Sequence, residues 1–167
     1  MILEIKEFFN SLKDKKIVFI GLGNNYRSDD AVGCYIVEEL QKRFYSDNIY
    51  FINSGIIVEN YVNKIIKLNR EVIIFVDAIR DKDFVNDFCI FTKDEIKNFT
   101  FSTHNISLST IIEYLQTQQY IEYKLRPEIF VLGIKVNLLD FAEGLTEKTK
   151  NIADEIIEII NSSLNLK

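Results

Sequence analysis

Val72-Ile73-Ile74-Phe75-Val76 is apolar at every position, with no polar alternation. A strand facing water on one side alternates. An unbroken run fits a strand covered on both faces, as in a parallel sheet between helical layers. Lys16-Ile17-Val18-Phe19-Ile20 closes at Gly21 and reads the same way, and Ile49-Tyr50-Phe51-Ile52 closes at Asn53-Ser54-Gly55. Ile129-Phe130-Val131-Leu132 ends at Gly133, and Phe88-Cys89-Ile90-Phe91 follows a charged turn, which suits an edge strand.

Between these runs the apolar period changes to that of helices. Residues 2–15 carry Leu3, Phe8, Phe9 and Leu12 at helical spacing, and Val32, Ile36, Val37, Leu40 and Phe44 mark one face of a helix from about Asp30 to Phe44. Residues 58–69, 107–118 and 146–161 predict three more helices. Strands alternating with helices predict an α/β fold: a three-layer domain with a mostly parallel twisted sheet of about five strands flanked by helices. At 167 residues, with one proline and no repeat or linker, residues 1–167 read as a single domain with an extra N-terminal helix at 2–15.

Composition narrows the function. The net charge is −5 and the pI about 5.0, which disfavours a nucleic-acid partner, since such binding rests on Lys and Arg neutralising phosphates. Apolar runs stop far short of the ~20 residues that span a bilayer, so no membrane insertion is expected. No secretory signal is visible, and Cys34 and Cys89 form neither a C-x-x-C nor a disulfide framework. Both read as packing residues, and the cytoplasm is the economical location.

In open α/β sheets, ligands bind beyond the carboxyl ends of the strands. Three features fall there. Gly21-Leu22-Gly23-Asn24-Asn25-Tyr26-Arg27-Ser28-Asp29-Asp30 follows the first strand, Asp77 ends another, and the chain's one histidine, His104, lies in Ser102-Thr103-His104-Asn105 before a helix. Asp29 fits an N-cap, with Asp30 in the first helical turn. Each feature has a plainer reading: the two aspartates complement a helix dipole, Asp77 caps a turn, and His104 is a satisfied loop residue. Parallel strands nevertheless bring distant residues to one sheet edge. Asp30, Asp77 and His104 together would suit a borderline divalent metal such as nickel or zinc, with coordination positions left open.

Gly21-x-Gly23-Asn24-x-x-x-x-Asp29-Asp30-x-x-Gly33 resembles the N-terminal motif of the hydrogenase maturation proteases, endopeptidases that trim [NiFe]-hydrogenase large subunits. Ser54-Gly55 followed by Glu59-Asn60 resembles the branch serving the formate hydrogenlyase hydrogenase. Val76-Asp77-Ala78 resembles the family's third-strand motif, and Thr103-His104-Asn105-Ile106-Ser107-Leu108 its histidine loop. Leu132-Gly133-Ile134 and Gly144-Leu145-Thr146 resemble its closing strand and last helix start, so the likeness spans residues 16–160.

The resemblance implies a hydrolase, an aspartic-type endopeptidase, acting on a [NiFe]-hydrogenase large-subunit precursor. It implies that Asp30, Asp77 and His104 are both the nickel-binding and the catalytic residues. Nickel would arrive with the substrate and be bound only transiently, with no permanent cofactor. Departures from the family pattern are Ala31 for glycine, Val58 for a proline before Glu59-Asn60, and Lys135-Val136-Asn137 in place of a proline-containing loop. A non-enzymatic nickel-binding accessory protein would use the same three ligands. Peptidyl-tRNA hydrolase also begins with a strand and Gly-Leu-Gly-Asn, but the stretch where its histidine would follow, Tyr26-Arg27-Ser28-Asp29-Asp30, has none. A dinucleotide-binding module needs a third glycine where Tyr26 stands.

Overall fold

The computed structural model describes residues 2–80, 85–96, 108–137 and 140–166. Five strands form one sheet in the order β2-β1-β3-β5-β4. They are β1 (Ile17–Leu22), β2 (Ile49–Gly55), β3 (Val72–Ile79), β4 (Phe88–Thr92) and β5 (Glu128–Lys135). The pairs β1–β2, β1–β3 and β3–β5 are parallel, whereas β4 pairs antiparallel with β5 at the edge. The mostly parallel sheet and its antiparallel edge follow the sequence expectation.

Every residue of β1 and β3 is buried, as unbroken apolar runs require. Alternate side chains enter two separate cores. Ile17, Phe19, Val72, Ile74 and Val76 pack beneath α1 (Ile2–Ser11), α2 (Val32–Arg43) and α6 (Glu147–Leu164). Val18, Ile20, Leu22, Ile73 and Phe75 pack beneath α3 (Val62–Leu68), α4 (Lys93–Ile96) and α5 (Leu108–Tyr123). The result is three layers, helices on both sides of the sheet.

Several boundaries differ from the sequence reading. The expected strand ends at Gly21, Asn53 and Gly133 are overrun, because ladder pairing with a neighbour continues through them. Asp77 likewise does not end β3: the strand runs two residues further, with Asp77 opposite Gly133 and Ile79 opposite Lys135. On its other flank the pairing with β1 stops at Val76, so Asp77 is the first β3 residue without a β1 neighbour. The helix expected from Asp30 opens with a 3-10 turn, Ser28–Ala31, before α2. In α1 the buried positions include Ile5 and Phe9, with Leu12 just beyond the helix also buried, while Leu3 is exposed. Phe9 meets Phe19, and Phe8 packs edge-on to Phe130, so α1 closes one side of the core. Burying a phenylalanine of this kind contributes about 1.5–3 kcal/mol.

Glycines set how closely the layers approach. A Cβ on Gly33 would lie 2.0 Å from the Val76 carbonyl oxygen and 2.5 Å from that of Leu22. A Cβ on Gly21 would meet the Gly33 carbonyl at 2.5 Å. The first turn of α2 therefore rests directly on the ends of β1 and β3. Gly33→Ala should destabilise the fold by about 3 kcal/mol, the upper part of the overpacking range, because the obstruction is backbone and cannot turn aside. Urea unfolding of the two proteins measures this; an unchanged midpoint would contradict the close approach.

Candidate active site

The strand order reverses between β1 and β3: the chain leaves β1 for β2 on one side, then crosses to β3 on the other. That switch point opens a crevice at the carboxyl ends of the strands. The loop after β1 is shaped for it. Gly23 has φ +141°, and a Cβ there would fall 2.0 Å from the Asp30 carbonyl oxygen. The Asn24 side chain accepts from the Tyr26 amide at 3.0 Å, folding the loop back, and the Gly23 amide donates to the Gly55 carbonyl at 3.1 Å.

The adjacent aspartates take different roles. Asp29 was expected to cap its own helix, yet Arg27 holds that position and makes no side-chain cap bond. The Asp29 carboxylate instead accepts from the Thr146 amide at 2.7 Å and the Thr146 hydroxyl at 3.0 Å. Thr146 is the N-cap of α6 and accepts from the Thr149 amide. A buried carboxylate at the start of that 18-residue helix meets both its free amides and the positive end of its dipole. Ser28 strengthens the junction, its amide donating to Ala142 and its hydroxyl to Gly144.

Asp30 is 3% exposed, and among the described residues nothing donates to its carboxylate. Asp77 is 1% exposed, and its Oδ1 accepts from the Ala78 amide at 2.8 Å. Both charges act on the Cys34 thiol, one turn into α2, whose Sγ lies 3.7 Å from the Gly23 carbonyl oxygen and 3.9 Å from that of Gly21. Burial pushes that thiol up to about 12, and the charges of Glu38, Asp77 and Asp30 reinforce the shift. Cys34 is thus a neutral packing residue with no nucleophilic character at neutral pH. Cys89, also free, is half-buried in β4.

Asp30, in the 3-10 turn before α2, and Asp77, near the end of β3, thus both lie toward the carboxyl edge of the sheet, whereas Asp29 is bonded to the start of α6. His104 and its loop 102–105 lie outside the described residues. Among the described residues, no three His, Cys, Asp or Glu side chains cluster closely enough to hold a metal ion.

Residues 34–163 match the model of a family described as hydrogenase maturation protease. The chain belongs to the hydrogenase maturation protease family. Two provisionally named hydrogenase maturation proteases of Methanocaldococcus jannaschii are similar to it. One is 33% identical over 154 residues, covering 87% of this chain and 86% of that protein. The other is 29% identical over 156 residues, covering 89% of this chain and 96% of that protein. The [NiFe] hydrogenase maturation protease HycI from Thermococcus kodakarensis superposes with a TM-score of 0.81 at 26% identity, covering 95% of this chain and 99% of that one. The hydrogenase maturating endopeptidase HybD from E. coli shares the fold, with a TM-score of 0.73 at 22% identity over 90% of this chain and 92% of its own. The α/β architecture is thus the family's, and the protein is a protease of hydrogenase maturation.

The sequence alone did not reveal the Asp29–Thr146 junction. Both residues stood in recognisable motifs, but 117 positions separate them and nothing in either motif pairs them. Hydrogen bonds to charged groups contribute about 1.5–3 kcal/mol each, so Asp29→Ala should lower stability by about 3 kcal/mol and loosen the start of α6. Hydrogen exchange at the Thr146 and Thr149 amides, with the unfolding midpoint, tests it; unchanged exchange would contradict the junction.

The Cys34 shift gives a pH dependence. Its folded value, about 12, lies above the ordinary 9.0, so below pH 9 the thiol is protonated in both states. Between pH 9 and about 12 only the unfolded chain releases the proton, and stability falls as pH rises. A Cys34→Ala variant should show a shallower loss over that window in urea titrations. Equal slopes would place the thiol in a more polar setting.

Proposed function

We propose that this protease removes the C-terminal extension of a [NiFe]-hydrogenase large-subunit precursor after nickel has been inserted, with Asp30, Asp77 and His104 as the residues that engage the nickel. The nickel is part of the substrate, carried in by the precursor and leaving with the trimmed product. What supports this reading is the family, together with the placement of Asp30 after β1 and Asp77 near the end of β3, where the strand order reverses. Two carboxylates in a buried crevice form a hard anionic donor pair. An imidazole from His104, four residues before the first residue of α5, would complete a set suited to nickel with positions left for substrate groups.

In this reading the precursor's nickel docks on the carboxylates and positions the peptide beyond the last metal-binding cysteine at the crevice. Bound there, the metal would either position the peptide alone or also supply Lewis-acid polarisation of the scissile carbonyl, with water as the nucleophile. Asp30 and Asp77 hold and orient the cation, and the apolar walls of the two cores restrict bulk water. Neither the thiol of Cys34 nor a Ser-x-Gly elbow offers a covalent route. A cytoplasmic reaction belongs to the same proposal. Among the described residues no helix is long and apolar enough to cross a membrane.

The test is intact-mass analysis of a cognate precursor, nickel-loaded and nickel-free, after incubation with the protease. Loss of a C-terminal fragment from the loaded form alone is expected. Asp30→Asn, Asp77→Asn and His104→Ala should each reduce cleavage by at least about a hundredfold, the scale on which removing one stabilising group from a catalytic site acts. Circular dichroism should show the variants folded. Cleavage of the nickel-free precursor, or normal processing by His104→Ala, would overturn the reading.

A further inference from the structure

Arg27 closes the loop after β1 and is the N-cap of the 3-10 turn Ser28–Ala31. Its carbonyl accepts from the Asp30 amide at 3.1 Å, so a single turn of chain separates the two residues. The same loop is fastened to the segment between β5 and α6. Arg27 pairs with Ala142 in an isolated parallel bridge, and the Ser28 amide donates to the Ala142 carbonyl at 2.8 Å. Both segments leave the carboxyl ends of parallel strands, β1 and β5, so this junction stands at the edge of the sheet that carries Asp30.

The Arg27 side chain is left largely unused by the fold. Its Cζ lies 5.7 Å from the centre of the Phe141 ring, which is itself 87% exposed. Its Nε is buried without an acceptor, an unfavourable state for a charged donor. Among the described residues no carboxylate forms an ion pair with it, although Asp30 is one turn away and the exposed Asp140 and Glu143 stand beside Phe141 in the chain. An aromatic face orients a guanidinium but occupies none of its in-plane N–H groups. Arg27 and Asp30 are thus opposite charges on one turn that the fold does not pair. A ligand that satisfies both brings a cation to one and an anion to the other.

We infer that Arg27 is a specificity-determining residue that binds a carboxylate side chain of the precursor, a few residues from the cleaved bond. The inference rests on the proposed function, in which Asp30 takes the precursor's nickel. A carboxylate is the planar, two-oxygen anion that a guanidinium fork matches, whereas a peptide carbonyl offers one uncharged acceptor. Extended chain advances roughly 3.3 Å per residue, so about two or three residues cover one turn and the reach of a side chain.

The experiment compares cleavage of nickel-loaded precursor by the wild type, Arg27→Gln and Arg27→Lys. Arg27→Gln should raise KM about tenfold, the effect of one charge-assisted contact, with kcat within about twofold. Arg27→Lys keeps the charge without the fork and should recover only part of that loss. Added salt should raise KM for the wild type and change it little for Arg27→Gln. An unchanged KM would overturn the inference. So would a lowered unfolding midpoint with the salt dependence intact, the mark of a residue that only ties its loop to Ala142. Charge reversal then identifies the partner: each Asp or Glu of the precursor within about five residues of the cleaved bond is changed to lysine in turn. One such precursor should be processed better by Arg27→Glu than by the wild type, and absence of any such pair would overturn the carboxylate assignment. Calorimetric binding of the loaded precursor separates this inference from the function it rests on. Weaker binding by Arg27→Gln with no cleavage by the wild type would keep Arg27 and sink the protease reading of this substrate; cleavage by the wild type with equal affinities would do the reverse.

Discussion

The close approach of α2 to the sheet is the constraint on which the site depends. Any side chain at position 33 would put its Cβ into the carbonyl of Val76, and any at position 21 into that of Gly33. With hydrogen at both, backbone packs on backbone, and the first turn of α2 lies over the junction of β1 and β3. That is the place where the strand order reverses and a crevice must form. Without the close approach, the start of α2 would stand away from the end of β3.

Placing carboxylates in a nearly dry crevice is costly, and the chain offsets that cost in two different ways. Asp29 is satisfied within the protein, by an amide and a hydroxyl at the N-terminus of α6. Its charge is spent on joining the last helix to the loop after β1, with Ser28 bonding the same segment. Asp30, its neighbour, receives no such donor among the described residues, although it too is almost fully buried. The start of α2 lends it a positive dipole end worth a fraction of a kcal/mol to about 1 kcal/mol, far below the cost of an isolated buried charge. Adjacent residues of the same type have thus been divided between holding the fold and presenting a charge.

The layered α/β architecture was legible because its signal is local. Runs such as Val72–Val76 state their burial directly, and the 3.6-residue stripes of α2, α5 and α6 identify the inward faces. What remained illegible was set by tertiary pairing. Strand ends at Gly21, Gly133 and Asp77 depend on which neighbour continues the ladder, and a glycine within a β run looks like a stop when read alone. The 3-10 turn before α2 has the same cause: Asp29 looks like an N-cap until Thr146 is known to claim its carboxylate. Of the candidate site, the ends of the strands could be read, and the resemblance named the residues; the close approach of Gly33 to the end of β3 could not be read.

The charge arrangement bears on how a protease of this kind could distinguish a finished substrate from an unfinished one. On the proposed reading Asp30 and Asp77 form one anionic site, and like charges held close together repel whether or not substrate is present. On the proposed reading, a precursor carrying its nickel relieves it by bringing a divalent cation into a site of low effective dielectric, where the attraction exceeds its value in water. An unloaded precursor would offer the same peptide but leave the carboxylates uncompensated. Discrimination then arises as a difference between two binding free energies, from one electrostatic term present in one complex and missing from the other. A ligand shifts an equilibrium only by such differential interaction, and each 1.4 kcal/mol of it is worth tenfold. On the same reading the close contact of Gly33 with the end of β3 would preserve this difference: a loop free to relax would let the carboxylates separate and be hydrated, and the loaded and unloaded forms would bind more nearly alike.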